Sequence, residues 1–144
     1  DDKKKLMCLS SALNLIKLLT VESQENSKIY NLINDFFLIL KNNNWIKDYI
    51  FWELKLLKLI GYDLELNNIV NKKITNNKVT YYVQSSREKK VVPNFLVDNT
   101  NDELDNKTLL NGLKLVGDYL EKNILKPNNL NFPIPRLDFM KILK

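Results

Sequence analysis

The sequence contains no histidine and only one cysteine, Cys8. Structural zinc sites use four ligands that are mostly Cys and His, so this composition argues against one. The lack of His also removes the commonest general base and every Ser–His–Asp or Cys–His arrangement. A single cysteine cannot form an internal disulfide, which fits a reducing compartment, and it is most simply a small core residue. We therefore expect no metal, no cofactor and no catalytic site.

Long apolar runs are also missing. No run reaches the roughly 18 residues that a membrane helix needs, and the opening DDKKKLMC lacks the apolar stretch of a signal peptide. We therefore expect no membrane partner. With 144 residues, the chain is long enough for a single domain, residues 1–144, with a real hydrophobic core. The charged start without an initiator Met leads us to expect a fragment of a longer protein.

Positive charge is concentrated in one segment of a chain whose net charge is +5. Residues 67–92 carry six basic side chains against one acid, which gives this segment alone a charge of +5. The six are Lys72, Lys73, Lys78, Arg87, Lys89 and Lys90. Concentrated positive charge attracts a phosphate backbone, so these are the predicted nucleic-acid-binding residues. The plainer interpretation, which the sequence alone favours, is a solvated hairpin whose lysines discourage edge pairing.

Apolar spacing of three and four residues predicts a mainly α-helical bundle. The predicted helices cover residues 3–19, 27–41, 45–60, a long helix to about residue 125, and 136–143. The stripes predicted to face the core in the first two helices are Leu6, Leu9, Leu13, Ile16 and Leu19, and Ile29, Ile33, Phe36, Phe37 and Leu40. The stripe of the long helix is Leu109, Leu113, Val116, Leu120 and Ile124. Short loops between the first helices favour antiparallel neighbours.

Polar and small residues mark where these helices begin and where they pack closely. Ser27 and Asn44 are predicted N-caps, and residues 100–103 have the spacing of a capping box. Gly112 and Gly117 lie inside the long helix, where each costs about 1 kcal/mol relative to Ala. We expect another element to pack closely against both glycines, because that would offset the cost.

The third helix has a carboxylate within its apolar stripe. The stripe consists of Ile46, Tyr49, Ile50, Glu53, Leu56, Leu57 and Ile60. Glu53 could serve catalysis, but no second acid shares its face, so we favour a buried structural acid satisfied by a Lys or by backbone N–H groups. Gly61 is the predicted left-handed C-cap, and the alternation over residues 63–66 predicts a short extended segment. Neither the acids of that segment nor those at 102–105 have calcium-loop spacing, so we interpret both groups as solvated.

Residues 69–92 are predicted to form β-strands, with turns at 75–77 and 85–86. In this segment Tyr82 alternates with Tyr81 and therefore faces the opposite side of the sheet. The predicted fold class is a helical bundle with a small β-hairpin or three-strand insertion at about residues 67–97.

Several aromatic side chains could stack on nucleic-acid bases. Trp45, Tyr49 and Trp52 lie at helical spacing and are more simply core residues. Phe51 and Trp52 cannot both face the core, so one of this pair is predicted to be an exposed partner-binding residue. Tyr82 shares the hairpin with the lysines and is the predicted aromatic residue of the nucleic-acid-binding surface.

Three blocks of the sequence carry a family resemblance. The first contains Glu53-Leu54-Lys55-Leu56-Leu57, Ile60-Gly61-Tyr62 and Leu64-Glu65-Leu66. The second, residues 81–96, has a Tyr-Val strand, a basic turn and a Pro-x-Phe-Leu exit, and the third is GLKLVGDYLEKNILK at residues 112–126. In their order and spacing, these blocks resemble the C-terminal helical domain of the recombination mediator RecO. The resemblance covers nearly the whole chain.

The resemblance implies a non-enzymatic role in DNA repair and homologous recombination in the bacterial cytoplasm, associated with the nucleoid. Members of the family bind single- and double-stranded DNA, anneal complementary strands, and work with RecR to load RecA on DNA coated by single-strand-binding protein (SSB). Some members bind the acidic, Phe-ended SSB tail through the helical domain. An alternative is a structural module that packs an OB domain or RecR without contacting DNA.

Two departures from the family pattern stand out. We expect the family's N-terminal OB-fold, which supplies much of its DNA contact, to be absent from this chain. Many members carry a four-Cys zinc cluster around the hairpin, whose expected start falls near residue 69, where this chain has no cysteine. The chain therefore resembles the zinc-free branch of the family.

Overall fold

The computed structural model describes residues 2–20, 26–98 and 103–144, which form a helical domain with one small sheet. The helices within this part are α1 (Asp2–Leu19), α2 (Asn26–Ile39), α3 (Trp45–Leu59), α4 (Leu66–Ile69), α5 (Asn106–Leu120) and α6 (Ile134–Ile142). The strands are β1 (Asn71–Thr75), β2 (Lys78–Gln84) and β3 (Lys89–Val92), antiparallel in the order β1-β2-β3. The predicted fold class is confirmed. None of the helices described here has the length and apolarity needed to cross a membrane.

The core is built around aromatic side chains of α2, α3 and α6. Tyr49 stacks on Trp52 with the ring centres 5.7 Å apart, and Phe36 meets Trp52 edge-on at 5.4 Å. Phe139 of α6 meets Tyr49 edge-on at 5.5 Å. Such edge-on and stacked contacts add to the stabilisation that burial of the rings already provides. The prediction that Trp45, Tyr49 and Trp52 are core residues is confirmed, since their exposed fractions are 7%, 0% and 2%.

A buried ion pair joins α3 to α6. Arg136 Nη2 donates to Glu53 Oε1 at 2.7 Å, and Arg136 Nε donates to Glu53 Oε2 at 3.0 Å. Both residues are almost fully buried, and Arg136 Nη2 also donates to the Leu113 carbonyl of α5 at 3.1 Å. Burial alone lowers the pKa of Arg136, but the charge and hydrogen bonds of Glu53 outweigh it and hold that pKa above its usual value. Glu53 is thus buried as predicted, but its partner is an arginine, whose planar fork forms the two parallel bonds that a lysine cannot.

Both glycines of α5 lie where another side chain approaches the helix closely. A Cβ on Gly117 would lie 2.9 Å from Arg136 Nη1, and one on Gly112 would lie 2.5 Å from the ring carbon Cζ of Phe95. The expected close packing is confirmed at both positions. The predicted stripe of this helix, from Leu109 to Ile124, is buried as well, and α5 continues through a wider turn at Glu121–Leu125.

The predicted core stripe of α1 is wrong at two of its five positions: Ile16 is buried and Leu9 and Leu19 pack against the core, but Leu6 and Leu13 do not. The side chains that α1 buries are Cys8, Ser11, Ala12, Leu15 and Ile16. Leu6 and Leu13 are instead 66% and 42% exposed. The reason is that the small residues Cys8, Ser11 and Ala12 share the buried line with Leu15 and Ile16. Ser11 Oγ hydrogen-bonds Tyr49 Oη of α3 at 2.9 Å. A count of large apolar side chains does not detect such a face. The interpretation of Cys8 as a core residue is confirmed, since it is fully buried.

The predicted stripe of α2 also needs correction. Phe37 is 47% exposed, whereas Leu32, which lay outside the predicted stripe, is buried. The Leu32 carbonyl accepts a hydrogen bond from Trp52 Nε1 at 2.9 Å. Of the α2 side chains that the structure describes, Leu32 and Phe36 are therefore the ones that are buried in the core.

The segment after α3 differs from the prediction. Gly61 has φ of +97° and therefore ends α3 in the left-handed conformation that was predicted. Residues 62–65, however, form no strand. Asp63 Oδ1 accepts a hydrogen bond from the Glu65 backbone N–H at 3.0 Å, and Glu65 has φ of +46° at the start of α4. A local turn closed by the Asp side chain thus replaces the extended segment.

The predicted N-caps are confirmed only in part. Asn44 precedes α3, but its side chain makes no capping hydrogen bond, and Ser27 lies within the first turn of α2, which begins at Asn26. The cap of α5 is Asp105, whose Oδ1 accepts from the Thr108 backbone N–H at 2.8 Å. The predicted capping box at residues 100–103 begins outside the described residues.

Removing one partner of the buried ion pair should strongly destabilise the protein. We expect Glu53→Leu or Arg136→Met alone to lower the free energy of unfolding by about 3–5 kcal/mol, because each leaves an uncompensated buried charge. The double variant should recover most of that loss, since it leaves no charge behind. Urea unfolding of the four proteins measures this. A double variant as unstable as the sum of the single variants would contradict the interpretation.

Alkaline pH should destabilise the protein through Cys8 and Tyr49. Burial, and then the nearby charge of Glu53, raises the pKa of both groups above the usual 9.0 for Cys and 10.0 for Tyr. Their protons stay bound in the folded chain and leave the unfolded chain above those values. The free energy of unfolding should therefore be constant up to about pH 8 and fall above pH 9, by up to about 1.4 kcal/mol per pH unit for each group. In Cys8→Ala, urea titrations should show the fall beginning only near pH 10.

Candidate nucleic-acid interface

The pairing register divides the basic segment between the two faces of the sheet. Paired residues of neighbouring strands point the same way, and successive residues along a strand point to opposite faces. The inner face holds the buried Tyr81 and Val92, and with them Lys72 and Lys90. The opposite side, called the outer face below, consists of Asn71, Lys73, Thr75, Lys78, Thr80, Tyr82, Gln84, Lys89 and Val91.

The outer face carries three exposed lysines and no acid. Lys89 Nζ lies 4.0 Å from the centre of the Tyr82 ring, a distance typical of a strong cation–π contact. Val91 lies beside Tyr82 on the next strand and is 63% exposed. The predicted grouping of Tyr82 with lysines is thus present at Lys73, Lys78 and Lys89. Sequence reasoning missed Val91, although its alternation with Lys90 and Val92 places it on this side.

The other predicted basic residues lie elsewhere. Lys90 Nζ donates to Asp118 Oδ2 of α5 at 2.6 Å, which ties the inner face to the helices. Lys72 is exposed on the same face. Arg87 lies in the exposed loop 85–88, which joins β2 to β3 next to Lys89. The six basic side chains therefore do not form one patch, and their binding role stays a prediction.

Specific hydrogen bonds hold the sheet with its outer face away from the helices. Tyr81 Oη donates to Asp98 Oδ2 at 2.7 Å, and this bond raises the pKa of Tyr81. Asn94 Nδ2 donates to the Val79 carbonyl at 2.9 Å. The β1–β2 turn is at Asn76 and Asn77, as predicted, and both have positive φ, which is typical of a tight hairpin.

The two predicted partner-binding residues have different environments. Trp52 is 2% exposed, so it does not offer an exposed docking surface. Its ring contacts Phe36 of α2 and Tyr49 of α3, and the partner-binding role of either residue stays a prediction. Phe51 is half-buried and meets the Phe95 ring edge-on with the ring centres 6.2 Å apart.

A groove runs between α2 and α3 on the surface next to Phe51. It contains two adjoining cavities of about 710 and 570 Å³, both lined by Asp35 and Lys55. The residues that line this α2–α3 groove include Lys28, Leu32, Leu38, Ile39, Lys41, Phe51, Lys58 and Leu59. Lys55 Nζ donates to Asp35 Oδ2 at 2.6 Å across it. The groove thus combines apolar walls with four lysines and two aspartates, Asp35 and Asp48.

The fold and these surfaces define a helical accessory domain with a small basic sheet. The family model described as "Recombination protein O C terminal" matches residues 1–130. The chain belongs to this RecO C-terminal family, so the resemblance found in the sequence is confirmed.

Curated relatives agree with this assignment. A protein of Rickettsia africae named "DNA repair protein RecO" is 33% identical over 86 residues, 60% of this chain and 36% of that protein. Proteins of the same name from Rhodospirillum centenum and Wolbachia pipientis are 23% and 26% identical over 97% and 92% of this chain, and 61% and 63% of their own lengths. This chain thus spans between about a third and two thirds of the length of these relatives. No solved structure matches it significantly.

The four-Cys zinc cluster of many family members does not fit this chain. Its only cysteine, Cys8, is buried in α1, and the sheet region has no other soft ligand. In the parts of the chain that the structure describes, no three His, Cys, Asp or Glu side chains are grouped as metal ligands.

Proposed function

We propose that this chain is the helical domain of a DNA repair and recombination protein and that it contacts DNA through the outer face of its sheet. The observation that carries the proposal is the exposed trio Lys73, Lys78 and Lys89 on a face without acids. Family membership supports the same role, because the relatives are named for DNA repair.

The mechanism of contact is electrostatic and independent of base sequence. Lysines that neutralise phosphates release condensed counterions, which drives binding and makes it salt-dependent. Arg87 extends the positive surface beyond Lys89 at one end of the outer face. Lys90 contributes less, because Asp118 already neutralises it. Either single- or double-stranded DNA supplies the phosphates.

Partner binding is the second part of the proposal. With RecR, the whole protein would anneal strands and help load RecA on DNA coated by SSB. We place the capture of the acidic, Phe-ended SSB tail in the α2–α3 groove, where the exposed Leu38 and the half-buried Leu59 offer apolar contacts to a phenylalanine. Lys55 and Lys58 lie at its rim, where each would exchange its surface ion pair, with Asp35 and Asp63 respectively, for an acidic residue of such a tail.

An alternative function is a structural module that packs an OB domain or RecR without contacting DNA. The observation in its favour is the pair Leu6 and Leu13, which α1 exposes on the side opposite its buried line. Exposed leucines two helical turns apart lie on one side of the helix and suit contact with another domain. DNA-binding measurements separate this function from the first.

Neutralising two outer-face lysines should weaken DNA binding and flatten its salt dependence. For Lys73→Gln with Lys89→Gln, we expect the slope of log K against log salt on a duplex to decrease by about 0.9 for each lost phosphate contact. Fluorescence anisotropy from 50 to 200 mM salt measures it. The matched control is Lys122→Gln with Lys141→Gln, which removes the same charge from exposed helical positions. Equal slopes for both double variants would remove the outer face from the DNA path and favour the structural module.

The α2–α3 groove should bind a labelled acidic peptide that ends in Phe. We expect saturable binding that weakens with salt, because lysines supply part of the attraction. Lys55→Ala with Lys58→Ala should lower the affinity, whereas the Lys122 and Lys141 control should not. Loss of binding when the terminal Phe is replaced by Ala would show that the apolar walls contribute. A folded chain that binds no peptide would exclude the groove as the capture site.

A further inference from the structure

The centre of the outer face is apolar, and lysines lie on both sides of it. Asn71, Tyr82 and Val91 form one row across the three strands. Lys89 lies one row away on one side and Lys73 one row away on the other, each displaced by about 7 Å along the strands. An exposed valine beside an aromatic ring, in the middle of a charged surface, is not needed for phosphate binding. This row is therefore the feature that the electrostatic mechanism leaves unexplained.

Tyr82 is half-buried, and one face of its ring lies against the exposed Lys89 side chain. The Lys89 ammonium reaches over it at 4.0 Å from the ring centre, so no core side chain covers that face. A nucleobase is flat and can stack on the same surface, and such stacking tolerates any base. A base that takes this place displaces Lys89, whose ammonium then has the adjoining phosphate as its partner.

We propose, building on the DNA role proposed above, that the outer face binds single-stranded DNA by stacking an unpaired base on Tyr82 and Val91. Lys73 and Lys89 hold the phosphates on either side of that base. In a duplex the base faces are already stacked on one another, so Tyr82 and Val91 add nothing to its affinity. Lysines alone favour the duplex, which has the higher charge density. The preference for a single strand therefore depends on Tyr82 and Val91.

The test compares Tyr82→Ala with Tyr82→Phe on three probes: a thymidine 12-mer, an abasic 12-mer with the same phosphates, and a 12-bp duplex. Loss of the ring should weaken thymidine binding roughly 5- to 100-fold and leave the other two probes within about twofold. Tyr82→Phe should keep the thymidine affinity, because it keeps the stacking surface. Val91→Thr should cause a smaller loss confined to the thymidine probe. No loss on thymidine, or an equal loss on all three probes, overturns the stacking proposal.

A second measurement uses the unaltered chain and does not depend on how the variants fold. A thymidine 12-mer with one 5-iododeoxyuridine should photo-crosslink to Tyr82, identified by fragmentation of the tryptic peptide 79–87. A crosslink found only on the helices overturns the proposal. The salt slope of the Lys73 and Lys89 double variant is independent of both results. If that slope decreases as expected but the Tyr82 variants bind normally, the stacking proposal is wrong and the electrostatic DNA contact is still supported.

Discussion

The buried pair of Glu53 and Arg136 is the interaction on which the helical domain depends. Its partners are 83 residues apart in sequence, and it fixes α6 against α3 while the Leu113 carbonyl brings in α5. The guanidinium fits against α5 only because residue 117 is glycine. The buried guanidinium needs these contacts, because a buried charge without a partner lowers the stability of the fold by several kcal/mol. One polar pair thus fixes the relative positions of three helices. Apolar side chains alone would allow more alternative arrangements of these helices.

The sheet is organised by a different principle from the helices. Its inner face is tied to the domain by Tyr81, Asn94 and Lys90, each through a polar contact. The residues of its outer face are not part of the buried core, so they can serve binding without weakening the fold. Substitutions there should consequently change function without unfolding the chain, whereas substitutions around Glu53 do the reverse. This separation is what makes the outer face testable by mutation.

Much of the fold could be predicted from the sequence. Helices α3 and α5 have regular apolar stripes, and the hairpin turns have residues typical of turns. The face of α1 could not be predicted, since Cys8, Ser11 and Ala12 are too small to dominate a hydrophobic pattern. The partner of Glu53 could not be identified either, because periodicity reports only local spacing. At the site, strand alternation separated Tyr82 from Tyr81, but placing Lys72 and Lys90 on the inner face required the register between strands.

The plainer interpretation of the hairpin lysines, protection of exposed strand edges, explains only part of the outer face. Lysine is the charge that most often blocks edge pairing, which accounts for lysines on the edge strands. The chain also contains 17 acids, yet this face has none among its residues. Edge protection also gives no reason for an aromatic ring on the central strand, whose edges are already paired. A surface that attracts phosphates explains the single sign of charge, and a surface that meets bases explains the ring. Both features together favour nucleic-acid contact over simple solubility.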